Sequence, residues 1–596
     1  MSIGSAIDKS VPFAGLSRVR FGPMSPETQN ARRIEVALAQ INPTVGDLVG
    51  NADLIIDAVR STAADGAHLV IFPELSLSGY PPEDLVLRED FLVAAAGQLE
   101  RIASSVEDVT VLVGYPLAHP DGVANALAVI SDGEIRSNYR KQLLPNYGVF
   151  DERRYFVPGN EQLVIAVDGV PVGLSICEDV WFDEPVYAGL EKLGARLIVN
   201  ASASPFHIGK SREREEMLCA RAAKFGVPIA YCNLVGGQDE LVFDGASVAI
   251  AADGSVLTRA PQFTTAVTRC SIPVHDPPTR LNPSLVSVST TQAATSITDP
   301  VADVIAPREH ESYTALMIGV RDYLTKNSFP GALVGVSGGI DSALVLALAC
   351  DAIGSENVTA VTMPSPYNSP ETRGDAAELI RRLACNEHEF EIAPMMQAFE
   401  STLAEVFSNR TPDQTEENIQ ARIRGILLMA MSNKFGSLVL TTGNKSEMAV
   451  GYATLYGDMA GGFAALKDVP KQLVFALSRW RNENVPVLAA NSIERPIPTG
   501  IIERPPSAEL RPDQRDEETL GSYEVLDQVI ERYIERDQGI DEIVASGVDR
   551  EFAQRIIRMI DLAEYKRRQA PPGVKITHRA FGRDRRMPIT ARRRYK

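Results

Sequence analysis

The sequence predicts an α/β protein of two domains, the second built on a doubly wound parallel sheet. Three observations carry this. Short apolar, strand-like runs alternate with helical segments in both halves of the chain. Between about Val274 and Glu311 the composition shifts to proline, serine and threonine, as in Pro277-Pro278, Ser284 to Thr298 and Pro300. A chain of 596 residues is also too long for one hydrophobic core. The expected division is a flexible arm at 1–32, a first domain at 33–273, a linker at 274–310 and a second domain at 311–596.

Composition narrows the function classes. Hydrophobic content of 45% and charged content of 23% are those of a globular protein, and a net charge of −18 argues against nucleic acid or anionic membrane as a general partner. No apolar run approaches the roughly 20 residues that span a bilayer. Residues 1–32 hold no signal-type apolar core, so a cytoplasmic location is expected. The six cysteines are scattered without metal-type spacing, so reduced thiols are expected, and any that matters is read as a nucleophile.

In the first half, Ile34 to Gln40 reads as a strand, Asn51 to Arg60 as an amphipathic helix, and His68 to Phe72 as a second strand stopped by Pro73. Hairpin turns fall at Asp132-Gly133, Asp168-Gly169 and Asp253-Gly254, which requires a mixed sheet. Three reactive residues stand at or near strand ends, where open α/β sheets place their sites. Glu74 follows Val70 to Pro73, Lys141 follows Glu134 to Arg140, and Cys177 follows Val172 to Ile176 and precedes Glu178-Asp179. A thiol needs help to ionise at neutral pH, and a carboxylate base with a nearby ammonium supplies it. Taken singly, the three read first as a core cysteine, a solvated lysine and a loop carboxylate.

Phe72-Pro73-Glu74, Arg140 to Pro145 and Ile176 to Asp179, in that order, resemble the nitrilase superfamily over about residues 34–265. That resemblance implies an αββα sandwich and an amidase with Glu74, Lys141 and Cys177 as its triad. It further implies Glu152 as an auxiliary carboxylate, Tyr147 as a contact to glutamine, and Ser204 and Lys210 as binders of glutamine's α-amino and α-carboxylate ends. Lys210 stands where some relatives carry arginine, which removes a bidentate carboxylate contact.

In the second half, a helix around Tyr313 to Leu324 leads into the apolar strand Ala332 to Val336. Then come Ser337-Gly338-Gly339-Ile340-Asp341-Ser342 and a run of helix formers ending near Gly354. Adjacent glycines on a strand-to-helix turn let a ligand approach the backbone, and unpaired helix amides favour an anion. The lysine of a Gly-x-x-x-x-Gly-Lys-Ser/Thr loop is missing, and Asp341 beside phosphate requires a cation such as Mg²⁺ between them. Strands at Val358 to Met363, Glu389 to Ile392 and Ser437 to Thr442, with helices from Glu371 and over Asn418 to Lys434, complete the alternation.

The segment Gly335-Val336-Ser337-Gly338-Gly339-Ile340-Asp341-Ser342 resembles the pyrophosphate loop of the ATP pyrophosphatases. Thr441 to Glu447, Gly451-Tyr452 and Tyr456-Gly457-Asp458 resemble NAD⁺ synthetases. A nitrilase-type domain joined to this loop is similar to the glutamine-dependent NAD⁺ synthetases, over nearly everything from residue 34 onward. The resemblance implies MgATP and deamido-NAD as substrates beside glutamine, and ammonia passing between two sites. By position it places Thr442 on ATP, Asp341 and Glu447 on Mg²⁺, and Asn418, Arg422, Glu447, Lys471 and Lys566 around deamido-NAD. Asn418 and Arg422, four apart, share a helix face. A homo-oligomer is expected. An amidotransferase for another adenylated substrate, or a nucleotide-binding scaffold, remains as an alternative. Pro496 to Glu518, with five prolines, is expected to be a mobile lid, and the arginine-rich tail (Arg583, Arg585, Arg586, Arg592 to Arg594) a subunit contact or solvated end.

Overall fold

The computed structural model describes residues 32–63, 66–275, 286–288, 297–302, 304, 307–506, 510–511 and 520–591. The expected arm up to residue 31, most of the linker, part of the expected lid and Arg592 to Arg594 lie outside the described residues.

The first half is two sheets packed face to face. One runs, in spatial order, β14 (Ala266–Val274), β1 (Arg32–Gln40), β2 (Leu69–Ile71), β3 (Thr110–His119), β4 (Gly122–Ser131) and β5 (Glu134–Arg140). The other runs β13 (Val256–Arg259), β12 (Val248–Ile250), β9 (Ile229–Asn233), β8 (Leu197–Ser202), β7 (Val170–Ile176), β6 (Val164–Val167) and β15 (Val286–Val288). Strand β1 shows why the layers form. Ile34, Val36 and Leu38 point into the space between the sheets, where they meet Leu174, Ile176 and Val199. Ala37 and Ala39 point the other way, onto Ile55 and Val59 of α1 (Leu48–Ala63). A strand buried on both faces reads as a continuous apolar run. With α2 (Glu89–Ala103) beside α1 and α3 (Lys210–Phe225) on the outer face of the second sheet, the result is an αββα sandwich. Asp132-Gly133 and Asp168-Gly169 have positive φ at both residues (49° and 76°; 46° and 73°), as tight hairpins require.

The second half carries a five-stranded parallel sheet in the order β18 (Asn386–Glu389), β17 (Val358–Thr362), β16 (Ala332–Val336), β19 (Leu438–Thr441), β20 (Phe463–Ala464). Val334 and Ala360 face α4 (Arg308–Lys326) and α5 (Ile340–Ile353). Leu333, Val361 and Val439 face Ile423, Leu428 and Met431 of α7 (Gln414–Phe435), on the other side of α6 (Pro370–Leu383) in sequence and of the sheet in space. The chain order reverses between β16 and β19, which is where a doubly wound sheet opens a crevice for nucleotide.

Three expectations shift. The strand expected at Glu389 to Ile392 lies at Asn386–Glu389. All four of its residues are exposed on a sheet edge, so it has no apolar signature, while Phe390 and Ile392 pack against the cluster under α7. Val286–Val288, inside the expected linker, pairs in parallel with β6, and the Asp299 carboxylate accepts from the Arg269 backbone N–H at 2.8 Å and its guanidinium at 3.1 Å. The described parts of that stretch are therefore docked on the first sandwich. The tail is docked in part: Arg585 is buried beside Asp561 and Glu564 and is no solvated end, while half-exposed Arg583 pairs with Glu83.

The two halves share a core. The hairpin β10 (Val235–Gln238) and β11 (Leu241–Asp244) lies against α4, where Asp322 accepts from Gly237 N–H at 2.7 Å and Asn42 at 2.8 Å. Lys326 donates to Asn42, Pro43 and Gly237, each at 2.8 Å. A side chain on Gly319 of α4 would meet Val574 at 2.6 Å, so this helix can only nest here with glycine at that position.

Candidate active sites

The first site lies where β2, β5 and β7 end. Pro73 stops β2, and the loop that follows presents Glu74, fully buried. Glu74 Oε1 accepts from Lys141 Nζ at 2.6 Å and from Asn125 Nδ2 at 2.7 Å, while Oε2 accepts from the Ala203 N–H at 3.0 Å. Lys141 follows β5 and also donates to Glu152 Oε1 at 2.8 Å, which Tyr80 OH reaches at 2.9 Å. The ammonium thus lies between two carboxylates, all three inaccessible to water.

Cys177 follows β7 with φ of 41°, the left-handed region that L side chains rarely adopt, and opens a short 3₁₀ turn. Asp179 fixes that turn. Its carboxylate accepts from the backbone N–H groups of Ile176 (3.0 Å), Leu143 (2.9 Å) and Gln142 (3.2 Å), and from Tyr139 OH (2.8 Å). One side chain therefore joins the cysteine turn to the segment after Lys141. Burial pushes Asp179 up to about 6.

Electrostatics set the resting state. Burial, with Glu74 next, pushes the Cys177 thiol well above its ordinary value, and Lys141 only partly opposes this. The resting group is a thiol that needs a base in contact. Burial alone would lower Lys141, but Glu152 and Glu74 outweigh it and hold the ammonium charged. Glu152 is pushed up to about 7, chiefly by burial, with Lys141 opposing and Glu74 adding to it. Its Oε2 has no hydrogen-bond partner, which suits a protonated carboxyl better than a bare oxyanion.

The rim holds Tyr147, whose OH donates to both oxygens of Glu178 at 2.9 and 3.1 Å. Ser204 is buried, its N–H bonded to Asn233 Oδ1 at 2.9 Å. The Lys210 ammonium lies 4.0 Å from the centre of the Trp181 ring and 3.3 Å from Glu213.

The second site lies at the β16/β19 crevice. Gly338 has φ of 83°, and a Cβ there would come within 2.4 Å of the Thr372 carbonyl oxygen, so only glycine fits. Gly339 has φ of −86° and would meet only Ser337 Oγ at 3.3 Å, so of the two expected backbone glycines one is constrained. Ser342 Oγ donates to the Gly339 carbonyl at 3.0 Å and closes the turn. No side chain caps α5, which leaves its first amides to a ligand. Gly335, Val336, Ile340, Thr442 and Glu447 line the same cavity as this turn. Asp341 Oδ1 accepts from Asn444 at 2.8 Å and Oδ2 from Lys471 Nζ at 2.5 Å. Lys471 also donates to Glu447 Oε1 at 3.1 Å.

Known proteins match both halves. A family model described as carbon-nitrogen hydrolase matches residues 35–276, and one described as NAD synthase matches 312–570. Glutamine-dependent NAD(+) synthetase of Thermotoga maritima is 47% identical over 581 residues, 94% of this chain and 99% of the relative. That of Xanthomonas campestris is 44% identical, over 95% of this chain and 99% of its own. The chain belongs to the glutamine-dependent NAD⁺ synthetase family. A solved family structure from Acinetobacter baumannii, in complex with ADP, superposes with a TM-score of 0.71 at 39% identity, covering 94% of this chain and 98% of that one.

Within the family's two-site arrangement, donor chemistry at the second site fits Mg²⁺. Asp341 and Glu447 turn hard oxygens toward one point, and this ion takes one or two carboxylates plus phosphates. The ammonium of Lys471 holds that point between them. No group of three His, Cys, Asp or Glu side chains gathers among the described residues, so phosphate oxygens would complete such a shell.

Lys471 therefore stands apart from the other residues expected around the dinucleotide. Asn418 accepts from Thr454 Oγ1 at 2.8 Å, Arg422 donates to the Leu455 carbonyl at 3.3 Å, and Lys566 donates to the Gly451 and Ala453 carbonyls at 2.7 Å. Those three converge on one loop, 451–455, and hold it. Sequence reasoning missed Asn125, Asp179, Tyr80 and Asn444. Asp179 had a local signal, a carboxylate two residues after the cysteine where it can cap the turn. Asn125 had none, since its partner lies 51 residues away in a different strand connection.

Proposed function

We propose that this chain makes NAD⁺ by amidating deamido-NAD with ATP, using ammonia released from glutamine at its own first site. The observation that carries the reading is the buried Lys141 ammonium bridging Glu74 and Glu152 beside Cys177, in one chain with the Gly338 turn and Asp341.

At the first site Cys177 Sγ attacks the side-chain amide carbon of glutamine. Glu74 takes the thiol proton and returns it to the departing ammonia, and the Lys141 ammonium balances the developing oxyanion. Water then cleaves the thioester to glutamate. Glu152 and Tyr80 hold Lys141, and Asp179 and Asn125 position the turn and the base. Tyr147, Ser204 and Lys210 bind glutamine's amino acid end.

At the second site a nicotinate carboxylate oxygen attacks the α-phosphorus of ATP, and pyrophosphate leaves into the turn of Ser337, Gly338, Gly339 and Ser342. Thr442 lines the nucleotide. Asp341 and Glu447 would hold Mg²⁺, which when bound neutralises phosphate charge. Asn418, Arg422 and Lys566 shape the dinucleotide side through the 451–455 loop. Ammonia attacks the acyl adenylate and AMP departs. Because ammonia is mostly protonated, and so non-nucleophilic, in neutral water, an enclosed path between the two sites would keep it reactive.

Six free thiols support a cytosolic location. The helix Ala393–Leu403 buries none of its residues and leaves Phe399 exposed, which supports a homo-oligomer. No helix among the described residues is long and apolar enough to cross a membrane. The test is direct: purified protein with ATP, Mg²⁺, glutamine and deamido-NAD yields NAD⁺, AMP, pyrophosphate and glutamate. Turnover of another carboxylate in preference to deamido-NAD would replace the reading with a different amidotransferase, and no turnover at all with a scaffold.

A further inference from the structure

We propose that Cys350 and Cys385 form a redox-modifiable dithiol, closed to a disulfide by low-molecular-weight disulfides. The topology brings them together. Helix α5 leaves β16 at the Gly338 turn and runs back across the sheet, so Cys350 falls in its last turn. Helix α6 follows β17 and ends at Ala384, and Cys385 is the residue between that end and β18. Strands β16, β17 and β18 are parallel neighbours, so the end of α5 and the start of β18 lie at the same end of the sheet, where Asn386 Nδ2 donates to the Glu356 carbonyl at 2.9 Å. Cys385 packs against the core cluster that contains Cys350.

The two thiols differ in a way that assigns their roles. Cys350 is fully buried, while Cys385 is half-buried. Each is the largest influence on the other's ionisation. The two thiols share a side-chain hydrogen bond, so each acts directly on the other's ionisation. An accessible thiol backed by a buried one is the arrangement of an attacking and a resolving cysteine.

The chemistry balances with a glutathione-type disulfide as oxidant. The Cys385 thiolate attacks one sulfur of the reagent, forming a mixed disulfide and releasing one thiolate. Cys350 gives its proton to that thiolate or to solvent, attacks Cys385 Sγ and expels the second. Two protein thiols are oxidised and one reagent disulfide is reduced to two thiols. The new bond ties α5 to the end of α6. The opposite ends of these helices flank the Gly338 turn, where the Thr372 carbonyl packs on Gly338. The pair is therefore separate from Cys177 and lies behind the phosphate turn.

The test uses the full chain treated with oxidised glutathione at neutral pH, alkylation of remaining thiols, and peptide mapping by mass spectrometry. The expected product is a Cys350–Cys385 linked peptide, two hydrogens lighter than its parts and released by dithiothreitol. In Cys385→Ser, a same-sized change at a half-buried position, neither the link nor an adduct on Cys350 should form. A stable glutathione adduct left on Cys385, or both cysteines still fully alkylated after treatment, would overturn the proposal.

Discussion

Lys471 and Asp341 form a buried ion pair at the mouth of the phosphate turn, ammonium to carboxylate oxygen at 2.5 Å, with Glu447 on the other side of the same ammonium. Burial by itself would lower Lys471, but Asp341 and then Glu447 outweigh it and raise it. The cation at this point is thus supplied by the chain itself. Removing one partner of such a pair costs more than the pair is worth, because it strands the other charge away from water.

Asp341→Asn should therefore suppress NAD⁺ formation from both glutamine and ammonium salt, by roughly 10²–10³ in kcat. Adenylation precedes amination, so AMP release measured in the presence of deamido-NAD should fall in parallel. Wild-type AMP release with this variant would remove Asp341 from the ATP step.

Lys471→Met tests the placeholder role. Two carboxylates would then face one another without a cation, which favours uptake of a proton or a metal ion. Mn²⁺ binding to the nucleotide-free variant, followed by electron paramagnetic resonance, should tighten on the order of tenfold over wild type. Unchanged or weaker Mn²⁺ binding would show that the two carboxylates do not share a cation.

Glu152 carries a pH prediction. Its carboxyl is raised to about 7, chiefly by burial, with Lys141 opposing and Glu74 adding to the shift. The sign follows from charge. Below that pH Glu152 is neutral and Lys141 balances Glu74 alone. Above it a further negative charge stands beside Cys177, where it opposes thiolate and oxyanion. The kcat/KM for glutamine hydrolysis should therefore decline as pH rises through about 7, and Glu152→Gln should lack that limb. A profile in Glu152→Gln that keeps the same inflection would assign it to another group.

Local pattern and chemistry made much of this molecule legible in advance. The β1 run, the Asp-Gly hairpins and the Gly338 turn each follow from a few neighbouring residues, and Glu74, Lys141 and Cys177 could be placed at strand ends from the punctuation around them. What stayed hidden depends on partners distant in sequence. Exposed β18 has no apolar signal, because pairing with β17 alone makes it a strand. Asn418, Arg422 and Lys566 share a resemblance-based role, yet only the fold shows that all three grip one loop. Arg585 lies in an arginine-rich tail that reads as solvated, and its burial depends on Asp561, Glu564 and the face of Tyr533.

Cys177→Ala separates the two sites by one atom. Cys177 opens the turn that Asp179 holds, and Ala at this position keeps the backbone bonds of Ile176 while removing only the sulfur. The phosphate turn lies in another sheet and loses nothing. Glutamine-driven NAD⁺ synthesis should fall by roughly 10³ or more, as expected when covalent catalysis is lost. Synthesis from ammonium salt, at a pH high enough to supply free NH₃, should stay near wild type. In the wild-type chain, if the proposed enclosed path carries the nitrogen, an added ammonia-consuming enzyme should barely reduce the glutamine-driven rate. Capture of most of the nitrogen by that scavenger would rule out an enclosed path while leaving the cysteine's role intact. Glutamine hydrolysis by Cys177→Ala at the wild-type rate would rule out the cysteine instead, and another nucleophile would have to be sought beside Glu74 and Lys141.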